Sequence, residues 1–211
     1  MVVASSYEHA KLDLMEHIIR QYKLEDGALE VEYIEQHFGE FRSRKTAREI
    51  VRRLKDREHL ILLSMAPSPD DDQVVIPVAF KVGHELRAGE TIPQLAEIVS
   101  EVIEVVEFPD RKIFYSWIGG TRGEWRGQGH YRALTEQQEE WALANGYNEM
   151  LVKTKNKFYE MRGTLDHLHF DVIKFHAHDR DNRESKVYLG KKIGDATLRQ
   201  HLTSRTVVVA A

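Results

Sequence analysis

The chain is predicted to fold as an α+β domain, a mixed α/β architecture in which helices flank a mostly antiparallel sheet. Three observations predict it. Two apolar strand-length runs, His59 to Ala66 and Val74 to Glu85, are separated by the turn-forming stretch Pro67-Ser-Pro-Asp-Asp-Asp-Gln73, as an antiparallel hairpin requires. A third apolar run, FYSWIGG, leads into a glycine- and arginine-rich turn and then a long helical pattern. Beyond it, strand-length and helix-length segments keep alternating.

Taken in order, Leu12, Leu14, Met15, Ile18, Ile19 and Tyr22 give the segment from Ser5 to Leu24 the spacing of an amphipathic helix, and Val31 to Phe38 that of a short helical piece. Ser43 is placed to cap a clearer helix with Ala47, Ile50, Val51 and Leu54 as its apolar stripe. The opposite face carries Arg44, Lys45, Arg48, Arg52, Arg53, Lys55 and Arg57, and with no aromatic residues among them it reads as a solvated face rather than a nucleic-acid surface. The second hairpin strand holds an interior proline, Pro77. Thr91 and Pro93 open a helix whose apolar face is Leu95, Val99, Val102, Ile103 and Val106. Between Glu85 and Asp110 there are seven acidic residues against one basic, Arg87, and such a rim would concentrate a cationic amine; packing of the helix on the sheet or on a second subunit is the stronger reading.

The helix from about His130 stops at Asn145-Gly146, a left-handed cap signal. Tyr147 to Thr154 follows as a strand, Phe158 to about His167 as a helix, and Phe170 to Ala177 and Lys186 to Ile193 as two strands joined by the polar turn HDRDNRES. The tail from Asp195 suggests a short helix and a terminal Thr-Val-Val-Val strand. With 211 residues, 42% of them apolar, one core and one domain are expected: N-terminal helices over 1–58, a core over 59–193 and a tail over 194–211.

A net charge of −4 gives no global reason to expect nucleic acid or an anionic membrane as partner. Zero cysteines exclude disulfides, thiolate metal sites and a cysteine nucleophile. The first residues lack the features of a secretory signal, and no apolar run reaches membrane-spanning length, so a soluble cytoplasmic protein is expected. His167 with His169, and His176 with His178 and Asp179, have strand spacing suited to metal ligation, but a cleft-lining or solvent-facing role is the stronger reading and no metal is expected.

Arg126-Gly127-Gln128-Gly129 carries the strongest functional signal. It lies where the turn meets the helix, so backbone N–H groups without intrahelical partners can point at a phosphate. A side chain at Gly127 or Gly129 would hold the ligand off or forbid the tight turn.

With these motifs in place, the region from about His59 to Ile193 resembles the GNAT superfamily of acyl-CoA-dependent N-acyltransferases. VAFKVGHE, FYSWIGGT, EWRGQGHYRALTEQQEEWALANGY, KTKNKFYEM and His169-Phe170 follow the order of that family's hairpin strand, central strand, pyrophosphate loop and helix, splayed strand with asparagine, and closing Gly-Phe. The loop pattern, Arg or Gln, two residues, Gly, one residue, Gly or Ala, reads Arg126-x-x-Gly129-x-Tyr131, with tyrosine at the last position. The resemblance implies splayed central strands and acetyl-CoA as acyl donor. It also implies Gly119, Gly120 and Thr121 on the pantetheine arm, the backbone of Arg126, Gly127, Gln128, Gly129, His130 and Tyr131 on the pyrophosphate, and Asn156 on the cofactor arm. The tyrosine that protonates the departing thiolate in the family falls on Leu165, which has no proton to give.

Amine acylation needs a base for the amine and a polarised carbonyl. A backbone N–H near Gly120 or Thr121 would polarise the thioester. Glu85, ending the strand before the acidic segment, is the candidate base, with His84 on the opposite strand face; Tyr159, Tyr131 and His169 are candidates for the acid, of which Tyr159 leads. The expected acceptor is a primary amine of a small molecule or peptide, attacked in a ternary complex, and a homodimer is a possible assembly. Two rival readings remain: a module that binds acyl-CoA or a protein without catalysis, and a nucleic-acid binder using the basic helix.

Overall fold

The computed structural model describes residues 17–22, 24 and 45–206. Seven strands form one sheet in the order β1-β2-β3-β4-β5-β7-β6. They are β1 (Ile18–Tyr22), β2 (His59–Pro67), β3 (Val75–Leu86), β4 (Ile113–Thr121), β5 (Glu149–Lys155), β6 (Asp171–His176) and β7 (Lys186–Lys192). Every neighbouring pair is antiparallel except β4 with β5. The mixed, mostly antiparallel architecture read from the sequence is the one observed.

Among the described residues there are five α-helices: α1 (Ala47–Leu54), α2 (Pro93–Val102), α3 (His130–Ala144), α4 (Tyr159–His167) and α5 (Asp195–Thr206). On one face Leu134 and Ala142 of α3 and Leu165 of α4 pack against Leu60, Ala79, Phe114, Met150, Val152 and Leu189. On the other, α1 places Ile50 and Leu54 over Ile61, Leu63, Phe80 and Val82. Beside it α2 places Leu95, Ile98, Val99 and Val102 over Leu86, Ile113, Tyr115, Leu151 and Tyr188. Each leucine or isoleucine so buried contributes about 1.5–3 kcal/mol relative to an exposed one. Among the described residues no helix is long and apolar enough to cross a membrane.

Several sequence expectations change. Ile18 to Tyr22, read as part of a helix over Ser5 to Leu24, is a strand pairing with Met65 to Ile61 of β2. Its isoleucine pair is stiff and suits a pleated edge, and the exposed edge of β2 supplies the partner that a local periodicity cannot foresee. Residues 5–16, the helical piece over Val31 to Phe38, Ser43 and the three valines of the terminal Thr-Val-Val-Val lie outside the described residues, while its Thr206 ends α5 rather than starting a strand. The cap of α1 is Thr46 rather than Ser43, in a reciprocal box in which Glu49 N donates to Thr46 Oγ1 at 3.2 Å and Thr46 N to Glu49 Oε2 at 3.0 Å.

The N-cap of α2 is Ile92, and the helix ends at Val102. Ile103 therefore turns out to 56% exposure, whereas Val106 is buried from the turn that follows. Pro77 sits beside a bulge between Ser64 and Met65, which absorbs the register change where proline has no N–H to give.

Candidate functional site

The site begins with a change in how β4 is paired. All of β4 is paired with β3, from Leu86 opposite Ile113 to Ala79 opposite Thr121, with a bulge that leaves Trp117 between Val82–Ile118 and Gly83–Ser116. Pairing with β5 covers only Ile113, Phe114 and Tyr115, against Glu149, Met150 and Leu151. β5 instead stays paired to β7 along its whole length. From Ser116 to Thr121 the edge of β4 that faces β5 has no strand on it among the described residues, and the two central strands splay. Such an edge offers main-chain donors and acceptors to an extended ligand.

Gly119, Gly120 and Thr121 end this open edge, and the chain runs straight into the loop. A turn over Gly123–Trp125 is followed by Arg126 in extended conformation, then Gly127 at φ +76° and Gly129 at φ +81°. These left-handed angles admit glycine at little cost, which explains both positions. Gly129 is the N-cap of α3, no side chain caps it, and no acidic residue occupies the first turn. The first intrahelical bond runs from Ala133 N to Gly129 O at 2.9 Å. The N–H groups of His130, Tyr131 and Arg132 are thus without intrahelical acceptors, at the positive end of a 15-residue helix. Arg126 Nε donates to Thr121 O at 3.3 Å and Gln128 Nε2 to Glu124 O at 3.2 Å, so both side chains brace the loop.

Tyr131, which stands where the loop pattern has a small residue, turns onto the sheet. Its ring lies against Gly119, where a Cβ would meet it at 3.3 Å, and 4.2 Å from Lys81 Nζ. Burial raises its hydroxyl pKa. Lys81 lies opposite Gly119, and its ammonium donates to Thr135 Oγ1 at 2.5 Å; burial pushes its pKa down to about 7 against the opposing pull of Glu139.

The remaining sequence candidates are scattered. Asn156 follows β5, and its amide is already engaged: Oδ1 accepts from Arg162 and Nδ2 donates to Asn182 O at 3.1 Å. Tyr159 starts α4 and is 60% exposed. Leu165 is fully buried in the core. His169 has φ +61°, and Phe170 N bonds Leu165 O at 2.9 Å around it, the helix-ending turn that favours glycine. His167 Nδ1 contacts Gly163 O at 2.8 Å, His176 lies 3.3 Å from Glu101, and His178 Nδ1 accepts from Asp181 N at 3.2 Å.

Glu85 is opposite Phe114, at the closed end of β4, five residues or about 16 Å along the strand from Gly119. It pairs with Arg87 at 2.6 Å and lines a cavity of about 260 Å³ with Phe108, Arg111 and Lys112. The structure does not bring it to the loop. His84 points to the other face, against Tyr115 and Trp117, and burial pushes its pKa down to about 3.

The sequence matches no family model, and no curated protein matches it. Solved structures do match. Arabidopsis thaliana NAA60 in complex with acetyl-CoA superposes with a TM-score of 0.64 at 11% identity, over 84% of this chain and 99% of that one. The chain has the GNAT fold. The ribosomal-protein-S18-alanine N-acetyltransferase from Escherichia coli matches at a TM-score of 0.55 and 12% identity, over 84% of this chain and 95% of that one. Arylalkylamine N-acetyltransferase 2 from Aedes aegypti matches at 0.57 and 16%, over 83% and 99%.

In this GNAT fold most carboxylates of the acidic segment between β3 and β4 have a basic side chain within 4 Å. Glu90 pairs with Arg57, Glu97 with Lys186 and Lys153, Glu101 with His176, and Glu107 with Arg111. The α2 carboxylates thus hold the helix against β5, β6 and β7. Under it lies a group that sequence reasoning missed: Arg53 stacks on Trp117 at 4.1 Å, and Tyr188 and Lys153 are register partners on β7 and β5. The Tyr188 hydroxyl is buried without a hydrogen-bond partner among the described residues. Tyr115 and Trp117 were legible as alternating aromatics in FYSW; nothing local singled out Tyr188.

Proposed function

We propose that the chain is an acyl-CoA-dependent N-acyltransferase that moves an acetyl group from acetyl-CoA to a primary amine of a small molecule or peptide. One observation carries this reading: the open edge of β4 runs directly into the uncapped, glycine-shaped N-terminus of α3. An extended pantetheine arm would add to the edge at Gly119, Gly120 and Thr121. The backbone donors from Arg126 to Tyr131 would then meet the pyrophosphate at the helix end. The fold shared with an acetyl-CoA complex supports the same order.

In this reading a backbone N–H near Gly120 or Thr121 polarises the thioester carbonyl, the amine nitrogen attacks the carbonyl carbon, and the C–S bond breaks as the amide forms. The departing thiolate takes up a proton from Tyr159, exposed at the start of α4, and the amine gives one up through water to a carboxylate, the role for which Glu85, paired with Arg87 at the closed end, is the candidate.

A non-catalytic acyl-CoA-binding module is the second reading, favoured by Leu165 lying in the core and by the engaged Asn156 amide. Calorimetric titration with acetyl-CoA, followed by thiol release against a panel of small amines and peptide N-termini, separates the two. Saturable binding with amine-dependent thiol release is expected. Binding without thiol release for any amine supports the second reading, and no binding to acetyl-CoA sinks both.

A further inference from the structure

The residue before β1 reaches the phosphate loop. Ile19 of β1 pairs with Ser64 and packs into the core on the α3 face, so strand alternation puts His17 on that same face, one step beyond the start of α3. There the His17 imidazole lies over Gly129: a Cβ at Gly129 would meet its Nε2 at 3.2 Å. The His17 and His130 rings are 4.6 Å apart, and Trp125 of the loop lies 5.8 Å from His130.

This group holds ring nitrogens without partners among the described residues. His130 is 2% exposed, its Nδ1 is engaged with Ser64 Oγ at 2.9 Å, and with Nδ1 accepting from that hydroxyl its Nε2–H is left over. The Trp125 Nε1 is buried and equally without a partner. His17 has no hydrogen-bond partner among the described residues, and like Trp125 it is half-buried, with its Nε2 over Gly129. Buried ring N–H groups in native structures find acceptors, and three aromatic nitrogen rings gathered at an uncapped helix N-terminus have an anion as their natural one.

We propose that His17 is a side-chain ligand for the phosphate groups of the bound acyl-CoA, adding its Nε2–H to the backbone donors of the loop. This rests on the acyl-CoA reading above. The sequence motif could not reveal it, because His17 lies more than a hundred residues before the loop and reaches it only through the edge pairing of β1 with β2.

The test is calorimetric titration of the whole chain and of His17→Phe and His17→Gln with acetyl-CoA, inorganic pyrophosphate and S-acetylpantetheine. His17→Phe keeps the ring and loses the donor. It should weaken acetyl-CoA and pyrophosphate by about ten-fold or more, while S-acetylpantetheine, which has no pyrophosphate, binds as before. His17→Gln, with an amide N–H near the same position, should restore most of the loss. Unchanged acetyl-CoA affinity in His17→Phe, with the wild type binding normally, overturns the inference and leaves the acyl-CoA reading standing. Equal loss for all three ligands also overturns it, since His17 would then hold shape rather than phosphate. If the wild type binds pyrophosphate in a His17-dependent way but not acetyl-CoA, the acyl-CoA reading fails and His17 stands as a phosphate ligand. A wild type that binds none of the three removes both.

Discussion

Over its first three residues β4 is hydrogen-bonded on both edges, to β3 and to β5; from Ser116 to Thr121 it is paired on one edge only. Around the closed end the charged side chains pair with one another, while His84 Nε2 and the Tyr188 hydroxyl are buried without partners among the described residues. Arg57 clasps Glu90 through two bonds of 2.6 and 2.8 Å, Arg111 bridges Glu107 and Glu149, and Tyr147 donates to Glu58 at 2.8 Å. Among the described residues the open end has unpaired main chain, an uncapped helix and ring nitrogens without partners. The comparison teaches where to look for function in such a fold: ion pairs that satisfy one another maintain the structure, and main-chain groups left over at a strand edge and a helix start point to a ligand.

That contrast breaks most sharply at Gly129. Gly129→Asp puts a carboxylate at the anion position and its Cβ against His17, at a backbone φ of +81°. Acetyl-CoA affinity measured by calorimetry should fall by about a hundred-fold or more, with the sheet intact by circular dichroism. A retained affinity would mean that the open end is not the cofactor site.

At the closed end the expected effect is on stability alone. Arg57→Met leaves the Glu90 carboxylate, 1% exposed, without its guanidinium, and denaturant unfolding should show a loss of about 3 kcal/mol with acetyl-CoA affinity unchanged. Loss of affinity in a variant that still folds would show that the two ends are coupled.

The smallest effect is expected at a residue that belongs to neither end. His169→Gly relieves a left-handed backbone at the end of α4 and should stabilise the chain by up to about 1 kcal/mol, read as a rise in Tm with no change in binding.

How much was legible follows from the range of the interactions involved. The hairpin of β2 and β3, the loop and the stop of α3 at Asn145-Gly146 were read correctly because each rests on local sterics: glycine at positive φ, proline in turns, apolar periodicity. The N-terminal strand was misread as helix because Ile18, Ile19 and Tyr22 satisfy either period until β2 offers its edge. Glu85 was singled out because it ends a strand beside the centre of the sheet; the structure sets it opposite Phe114, at the end of β4 away from the loop, and sequence does not say which end opens.

By itself the sequence determined the order of elements from β2 onward, the left-handed glycines and the glycine-shaped start of α3, since these depend on residues within a few positions of one another. Only the tertiary structure decided that β4 and β5 part after Tyr115, that Tyr131 turns onto Gly119 and Lys81, that α2 lies across β5 to β7, and that His17 comes to rest on Gly129. These outcomes are set by pairing and packing between segments tens of residues apart, where the free energy of contact depends on what the rest of the chain has already brought into place.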